Sequence, residues 1–529
     1  MVLMRVEGKL RSHATQKAIP SDAIQNFAMS GLSTYLTTPN GHSYEQPTGL
    51  FINNEFVKSS SGQIITSLDP ATEQEIATVE AASAEDVDKA VRAARAAFKA
   101  PTWKKLPATE RGKLLVRLSE LIEEQKELFA SIDAWDNGKT YALAMEDDLP
   151  DTIGTFRYYG GWADKSFGQT IETSPEKFAY TLRQPFGVVG QIIPWNFPLA
   201  IFAWKVAPAL AAGNTVVIKA AEQTPLSILV MATLIKKAGF PPGVVNILNG
   251  YGREAGAALT EHPLIDKVSF TGSTTTGAQI MKSAAGQLKE ITLETGGKSP
   301  LIVFNDADLD QAVKWSHAGI MSNQGQICTA TSRIFVQRDI YDRFLSLFKE
   351  RVRTASIIGD QWSSDTFQGP QVTRAQYDRV MHYINVGKSE GATVETGGEA
   401  FARPDGKGFF VAPTTFTNVN SSMKIYKEEI FGPVGLIIPF DTEEDAIEFA
   451  NDTLYGLGAA VFTMNLRRGH RVAAEIEAGT VWLNSSQDSD HRIPFGGYKT
   501  SGVGRELGQA GFDAYTQVKA VHVNMGNDL

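Results

Sequence analysis

Three residues of this 529-residue chain have types and settings that suit covalent chemistry. Cys328 is the only cysteine, and it lies in Asn323-Gln324-Gly325-Gln326-Ile327-Cys328-Thr329. That run is polar and contains glycine, unlike an apolar core stripe. A thiol there is a candidate nucleophile if nearby donors or a helix N-terminus favour its thiolate. Glu294 follows Ile291-Thr292-Leu293, which reads as a buried strand, and precedes Thr295-Gly296-Gly297-Lys298. An acid at the end of a buried strand is costly without a task or a partner, and deprotonating water is such a task. Asn196 stands in Pro194-Trp195-Asn196-Phe197-Pro198. A rigid apolar loop holding one amide suits an oxyanion donor. Each residue alone also has a plainer reading: a small buried hydrophobe, a surface acid, or an amide that satisfies its own loop.

A fourth stretch, Gly272-Ser273-Thr274-Thr275-Thr276-Gly277, follows a strand and opens a helix. It is not the G-x-G-x-x-G pattern, yet a glycine-rich turn at a helix N-terminus can hold a phosphate through backbone amides.

The elements that must position these residues alternate. Thr215-Val216-Val217-Ile218 reads as a buried strand. Thr224 is expected to cap the next helix, with Pro225 at its first position and Gly239 and Pro241 at its end. Strands follow at 244–248, at Val268-Ser269-Phe270 and at Ile291-Thr292-Leu293. Strand, helix and strand in succession imply a parallel sheet with right-handed crossovers. Ligands of such sheets bind at the C-terminal strand ends, where Lys219, Gly250, Thr271 and Glu294 fall. Ser83 with Asp86 resembles a capping box before an amphipathic helix. A second α/β unit begins near Gly296, with a helix over 306–318, a strand over 333–336 and a helix over 340–355.

Length and composition bound the answer. The chain allows two or three domains and a large core, and one cysteine excludes an internal disulfide and a Cys-based zinc site. The net charge is -9, with no basic patch, which argues against nucleic acid as a partner. The uncharged run 184–204 holds Pro185, Pro194, Asn196 and Pro198, so it reads as buried strand and loop and not as a membrane span. Residues 1–46 read as a mobile extension, with folded structure from Pro47. The extension lacks a secretory apolar stretch. Its basic residues are interrupted by Glu7 and Asp22, which suits a mitochondrial leader poorly. The cytoplasm is the expected compartment, with the mitochondrion as the alternative.

From about Pro47 to Val523 the sequence resembles the aldehyde dehydrogenase superfamily. The matching strings, in order, are Pro194-Trp195-Asn196-Phe197-Pro198, Phe270-Thr271-Gly272-Ser273-Thr274, Leu293-Glu294-Thr295-Gly296-Gly297-Lys298, Gly325-Gln326-Ile327-Cys328, Glu429-Ile430-Phe431-Gly432-Pro433 and Pro494-Phe495-Gly496-Gly497-Tyr498-Lys499. The resemblance implies an α/β fold with a Rossmann-type NAD-binding domain over 47–162 and 186–295 and a catalytic domain over 296–512. It implies an oligomerisation arm over 163–185 and 513–529, whose strand near Tyr515 to Val523 pairs with a neighbouring subunit in a homodimer or homotetramer. It implies NAD-dependent oxidation of an aldehyde to its acid, without a metal: Cys328 attacks, Asn196 and the Cys328 N–H hold the oxyanion, and Glu294 activates water to cleave the thioester.

The resemblance also implies cofactor contacts. Lys219 and Glu222 fall at the adenine ribose, where a carboxylate favours NAD over NADP. Trp195 and Ser273 match backbone and pyrophosphate contacts, and Gly252, Gly256, Gly272 and Gly277 the nucleotide turns. Glu429 and Phe431 match contacts to the nicotinamide ribose and ring. The chain departs from many relatives around the substrate. Ser322 replaces a bulky aromatic, and the loop 484–492 is small and polar. A wide, wet entrance would admit a bulky, aryl, indole-type or hydroxylated aldehyde. Tyr159, Trp162, Trp204 and Phe495 are the expected aromatic wall. Other readings are a CoA-acylating enzyme, which would not need Glu294, an esterase, and a non-enzymatic protein on the same fold.

Overall fold

The computed structural model describes residues 31–526. Two large sheets hold the molecule together, and the catalytic candidates lie where they meet. The first has eight strands. Its centre is five parallel strands in the spatial order Glu290–Glu294, Lys267–Thr271, Val188–Ile192, Thr215–Lys219 and Val245–Leu248. The chain leaves Val188–Ile192 in one direction for two strands, then returns to its other side for the last two. That reversal opens a crevice beyond the C-terminal strand ends, where ligands of such sheets bind.

These strands are almost wholly buried, as continuous β-branched runs with helices on both faces must be. The second sheet has seven strands, of which six, including Pro300–Val303 and Arg333–Gln337, run parallel. Each sheet has its own apolar clusters on its faces.

Several expectations change. The run 184–204 is strand and loop only up to Phe197. Pro198 then opens the helix Pro198–Ala211, since proline at the first helical turn forfeits no internal hydrogen bond. Thr224 does not cap the next helix, Leu226–Ala238, and its Oγ1 has no partner. The Leu226 N–H is instead met by Asp136 Oδ2 at 3.2 Å, from a different helix. Folded structure also begins before Pro47. Ser33–Thr37 and Ser43–Pro47 form an antiparallel hairpin, and Tyr44 and Gln46 are buried. The rest of the expected extension, residues 1–30, lies outside the described residues.

The strand Thr516–Asn524 pairs along its length with Lys177–Pro185 of the same chain. Lys177–Pro185 also pairs with Thr170–Ser174, so the three strands form a separate small sheet with Thr516–Asn524 at one edge. Among the described residues no helix is long and apolar enough to cross a membrane.

Candidate active site

Cys328 follows a turn that its sequence forces into unusual backbone geometry. Asn323, Gln324 and Gly325 all have positive φ, at 49°, 59° and 69°. Gly325 is required for a second reason. A Cβ on it would overlap the Gly432 carbonyl and stand 2.5 Å from the Pro433 nitrogen. The thiol turn is thus pressed onto the loop that carries Glu429 and Phe431. Asn196 pins it from the other sheet. Its Nδ2 donates to the Gln326 carbonyl at 3.0 Å, and Asn323 Nδ2 returns a bond to the Asn196 carbonyl at 3.3 Å. One N–H of the Asn196 amide is left over for a ligand.

Glu294 ends its strand 2% exposed, and neither carboxylate oxygen has a partner. Glu294 and Cys328 line one cavity of about 460 Å³. Burial pushes the Glu294 carboxyl well above the usual range, helped by the Glu506 carboxylate and opposed by Lys205 and Arg505. Burial likewise pushes the Cys328 thiol up to about 12, reinforced by Glu429 and Glu294. The Thr329 and Cys328 backbone N–H groups favour the thiolate but are outweighed. The resting site therefore stores a protonated thiol, and the expected thiolate-favouring setting is not met in the free protein.

Lys205 and Glu506 are the residues that sequence reasoning missed. Their side chains form an ion pair, 0% and 2% exposed, and Ser269 Oγ donates to Glu506 Oε1 at 3.3 Å. The sequence did hold a signal. Lys205 is the first charge after the apolar run 184–204, on a helix with an otherwise buried face, and such a charge needs a buried partner.

A second, larger cavity of about 990 Å³ runs along the strand ends of the first sheet. Thr271 lines both cavities. Of the expected cofactor residues, Trp195, Lys219, Glu222, Gly252, Gly256, Gly272 and Ser273 line this groove. Lys219 Nζ donates to the Ala220 and Gly250 carbonyls at 2.8 Å each and to Glu222 Oε2 at 3.2 Å. That fixes an ammonium and a half-buried carboxylate at the groove wall.

Ser273 caps the helix Thr274–Ala285 through the Thr276 N–H, which directs the helix N-terminus at the groove. Nothing lies within 4 Å of a Cβ built on Gly252, and one on Gly256 meets only ordinary contacts from 3.8 Å. The wall there is bare backbone over open space. A length of groove with a carboxylate at one end and a helix N-terminus farther along fits a dinucleotide.

Gly277 does not line the groove. It lets the helix pack on Thr295, whose Cγ2 would stand 2.7 Å from an added Cβ. Glu429 and Phe431 lie beyond the groove lining, on the thiol side. Glu429 Oε1 accepts from the Gly297 N–H at 2.9 Å, and burial raises its carboxyl to about 7. Phe431 meets Trp195 edge-on, ring centres 5.4 Å apart.

The thiol cavity has a partly different wall from the expected one. Trp204 and Phe495 line it with rings 5.2 Å apart. Tyr159 and Trp162 do not. Tyr159 is buried with its hydroxyl donating to the Gly508 carbonyl at 3.0 Å, and Trp162 packs on Phe512. Ser322 and Ser489 leave room beside the thiol. The loop 484–492 is not merely solvated. Gln487 clasps Thr329, accepting from its Oγ1 at 2.6 Å and donating to its carbonyl at 3.0 Å, next to Cys328.

The aldehyde dehydrogenase family model matches residues 56–521. The chain is 53% identical over 498 residues to an aldehyde dehydrogenase of Alternaria alternata, covering 94% of this chain and 99% of that one. It is 51% identical over 492 residues to aldehyde dehydrogenase [NAD(P)+] 1 of Saccharomyces cerevisiae, covering 92% and 97%. Among solved structures, the NAD+ complex of a Bacillus cereus aldehyde dehydrogenase superposes with a TM-score of 0.89 at 49% identity, covering 90% of this chain and 97% of that one.

Proposed function

The chain belongs to the aldehyde dehydrogenase family and oxidises aldehydes with NAD, and from that premise we propose a course for the reaction through Cys328, Asn196 and Glu294. The observation that carries it is the pairing of a lone thiol with a buried, unpartnered carboxylate in one cavity that adjoins a dinucleotide-sized groove.

Cys328 Sγ bonds to the aldehyde carbon as its proton is released to solvent. The carbonyl electron pair moves onto oxygen. That oxyanion takes hydrogen bonds from the free Asn196 N–H and the Cys328 backbone N–H, donors already fixed before the charge develops. Bound NAD supplies the hydride acceptor, and loss of hydride leaves a thioester on Cys328. Glu294, as a carboxylate, takes a proton from water as the hydroxyl adds to the thioester carbon. The carbon–sulfur bond breaks, the acid departs, and the leaving thiolate takes the proton held by Glu294, which regenerates both groups. A base whose proton affinity is raised by burial is well matched to water. A CoA-acylating course has no use for that base.

The residues that would hold NAD are Lys219 and Glu222 at the adenine ribose, and Trp195, Gly272 and Ser273 with the helix N-terminus at the pyrophosphate. Gly252 and Gly256 leave the backbone bare beside it, and Gly277 packs the helix behind it. Glu429 and Phe431 would hold the nicotinamide ribose and ring. The Glu222 carboxylate accepts from ribose hydroxyls and repels a 2′-phosphate, which favours NAD over NADP.

The first sheet then serves as the nucleotide-binding unit and the second as the unit bearing the thiol. The small sheet serves as an arm for a homodimer or homotetramer. Its exposed Ile171, Phe178, Leu182 and Val518 support that last reading. A cytoplasmic setting would keep the single thiol reduced. NADH formation from a panel of aliphatic, aromatic and indolic aldehydes without CoA tests the whole, with turnover expected in the wild type and lost in Cys328→Ala.

A further inference from the structure

We infer that the preferred aldehyde carries a positive charge at the end remote from its carbonyl, as an ω-ammonium group on a flexible carbon chain. The inference rests on the proposed reaction at Cys328 and deepens it. The cavity qualifies as a ligand site independently of its charge, because the thiol and the unpartnered Glu294 carboxylate both line it.

Its remaining lining is one-sided. Among the described residues no lysine or arginine lines it, whereas acids line it from floor to mouth. Some of these are neutralised from behind: Asp148 by Lys139, Glu506 by Lys205 and Asp490 by Arg492. Glu146, Asp147 and Asp151 are not. Glu146 and Asp147 have no ion pair among the described residues and are exposed, which puts them at the mouth.

Local structure aims these acids. Residues Ala144–Asp148 form a π-helical turn, wider than an α turn, and the helix Leu149–Trp162 continues it. Asp151 lies four residues beyond Asp147, which puts the two on one helical face. Trp204 Nε1 donates to Asp151 Oδ2 at 2.6 Å, so the carboxylate is held beside an aromatic wall. Asp151 is raised by burial only to about 6 and stays ionised at pH 7 and above. His491 Nδ1 lies 4.0 Å from it, but burial holds that imidazole below its ordinary value and thus neutral there.

Carboxylates set among apolar walls focus a negative field into the cavity. An ammonium group would be met by Asp147 and Asp151 and by the Trp204 and Phe495 rings. A neutral aldehyde of the same shape would leave these acids unpartnered as water is displaced, and an anionic one would be repelled.

The test compares kcat/KM, read as NADH formation, for three aldehydes. They are a trimethylammonio-butanal, its neutral tert-butyl isostere and a carboxylate-bearing aldehyde of similar length. The expected order is cationic over neutral over anionic, with about tenfold or more between the first two. Asp147→Asn and Asp151→Asn should each lower the cationic-to-neutral ratio several-fold. Equal kcat/KM for the cationic aldehyde and its isostere, a preference for the anion, or a ratio unmoved in both variants would overturn the inference and leave the proposed reaction standing. Absence of turnover with all three would overturn both.

Discussion

Gly325 and Gly432 touch backbone to backbone, so that a side chain on the first would overlap the carbonyl of the second. Through this contact the turn before Cys328 and the loop holding Glu429 and Phe431 become one rigid piece. Gly325 also has a positive φ of 69°, which an L side chain adopts only with strain. Gly325→Ala should therefore fold but lose at least about tenfold in kcat, because a small misplacement of a nucleophile is costly. Thiol alkylation and steady-state kinetics beside a melting curve check this. Wild-type kcat in the variant would show that the contact does not position the thiol.

The raised thiol gives a prediction of definite sign. A group whose ordinary proton release is pushed up stays neutral to higher pH, so thiolate-dependent chemistry must grow as pH rises. Alkylation of Cys328 in the free enzyme should climb about tenfold per pH unit from about pH 8 to about pH 10 without a plateau. Glu429 and Glu294 both raise the thiol. Glu429→Gln and Glu294→Gln should each speed alkylation at fixed pH. A plateau near neutrality would contradict the burial argument.

The buried Lys205–Glu506 pair makes two linked predictions. Lys205→Met leaves an uncompensated buried carboxylate and should cost about 3–5 kcal/mol in unfolding free energy. Lys205 also lowers the Glu294 carboxyl, so its removal should move the deacylation pH profile upward. Replacing Glu506 with Leu in the same chain should restore much of the stability. Denaturant melts and presteady-state profiles measure each.

Asn196→Ala removes a donor at the expected oxyanion and should lower kcat by about 10²–10³ with a smaller change in KM. The same amide braces the Gln326 carbonyl, so part of the loss belongs to the thiol turn. Alkylation of Cys328 in the variant separates the two, since it needs the turn but not the oxyanion donor.

Much of this site was legible in the sequence because its parts sit on short strings with rigid local geometry. Glu294 ends a β-branched strand, Asn196 stands between prolines, and the run 272–277 follows a strand and opens a helix. Parts that depend on distant chain pairing were not legible. Thr224 is a good capping residue by type, yet Asp136 reaches the helix start from another helix. Tyr159 and Trp162 are aromatic and near the right region, but they face Gly508 and Phe512, not the cavity. Glu506 lies on a chain segment brought against Lys205 only by the tertiary fold, 301 residues apart. The hairpin at 33–47 was hidden because its short polar strands carry little periodicity until Tyr44 and Gln46 are packed.

The most direct test of the central claim is a rapid-mixing run of Glu294→Gln with saturating NAD and a reactive aldehyde, followed by intact-mass analysis. If Cys328 carries the acyl group and Glu294 releases it, about one NADH should form per active site, turnover should stall, and Cys328 should bear the acyl mass. Steady turnover at the wild-type rate, or a burst with no adduct on Cys328, would contradict the account.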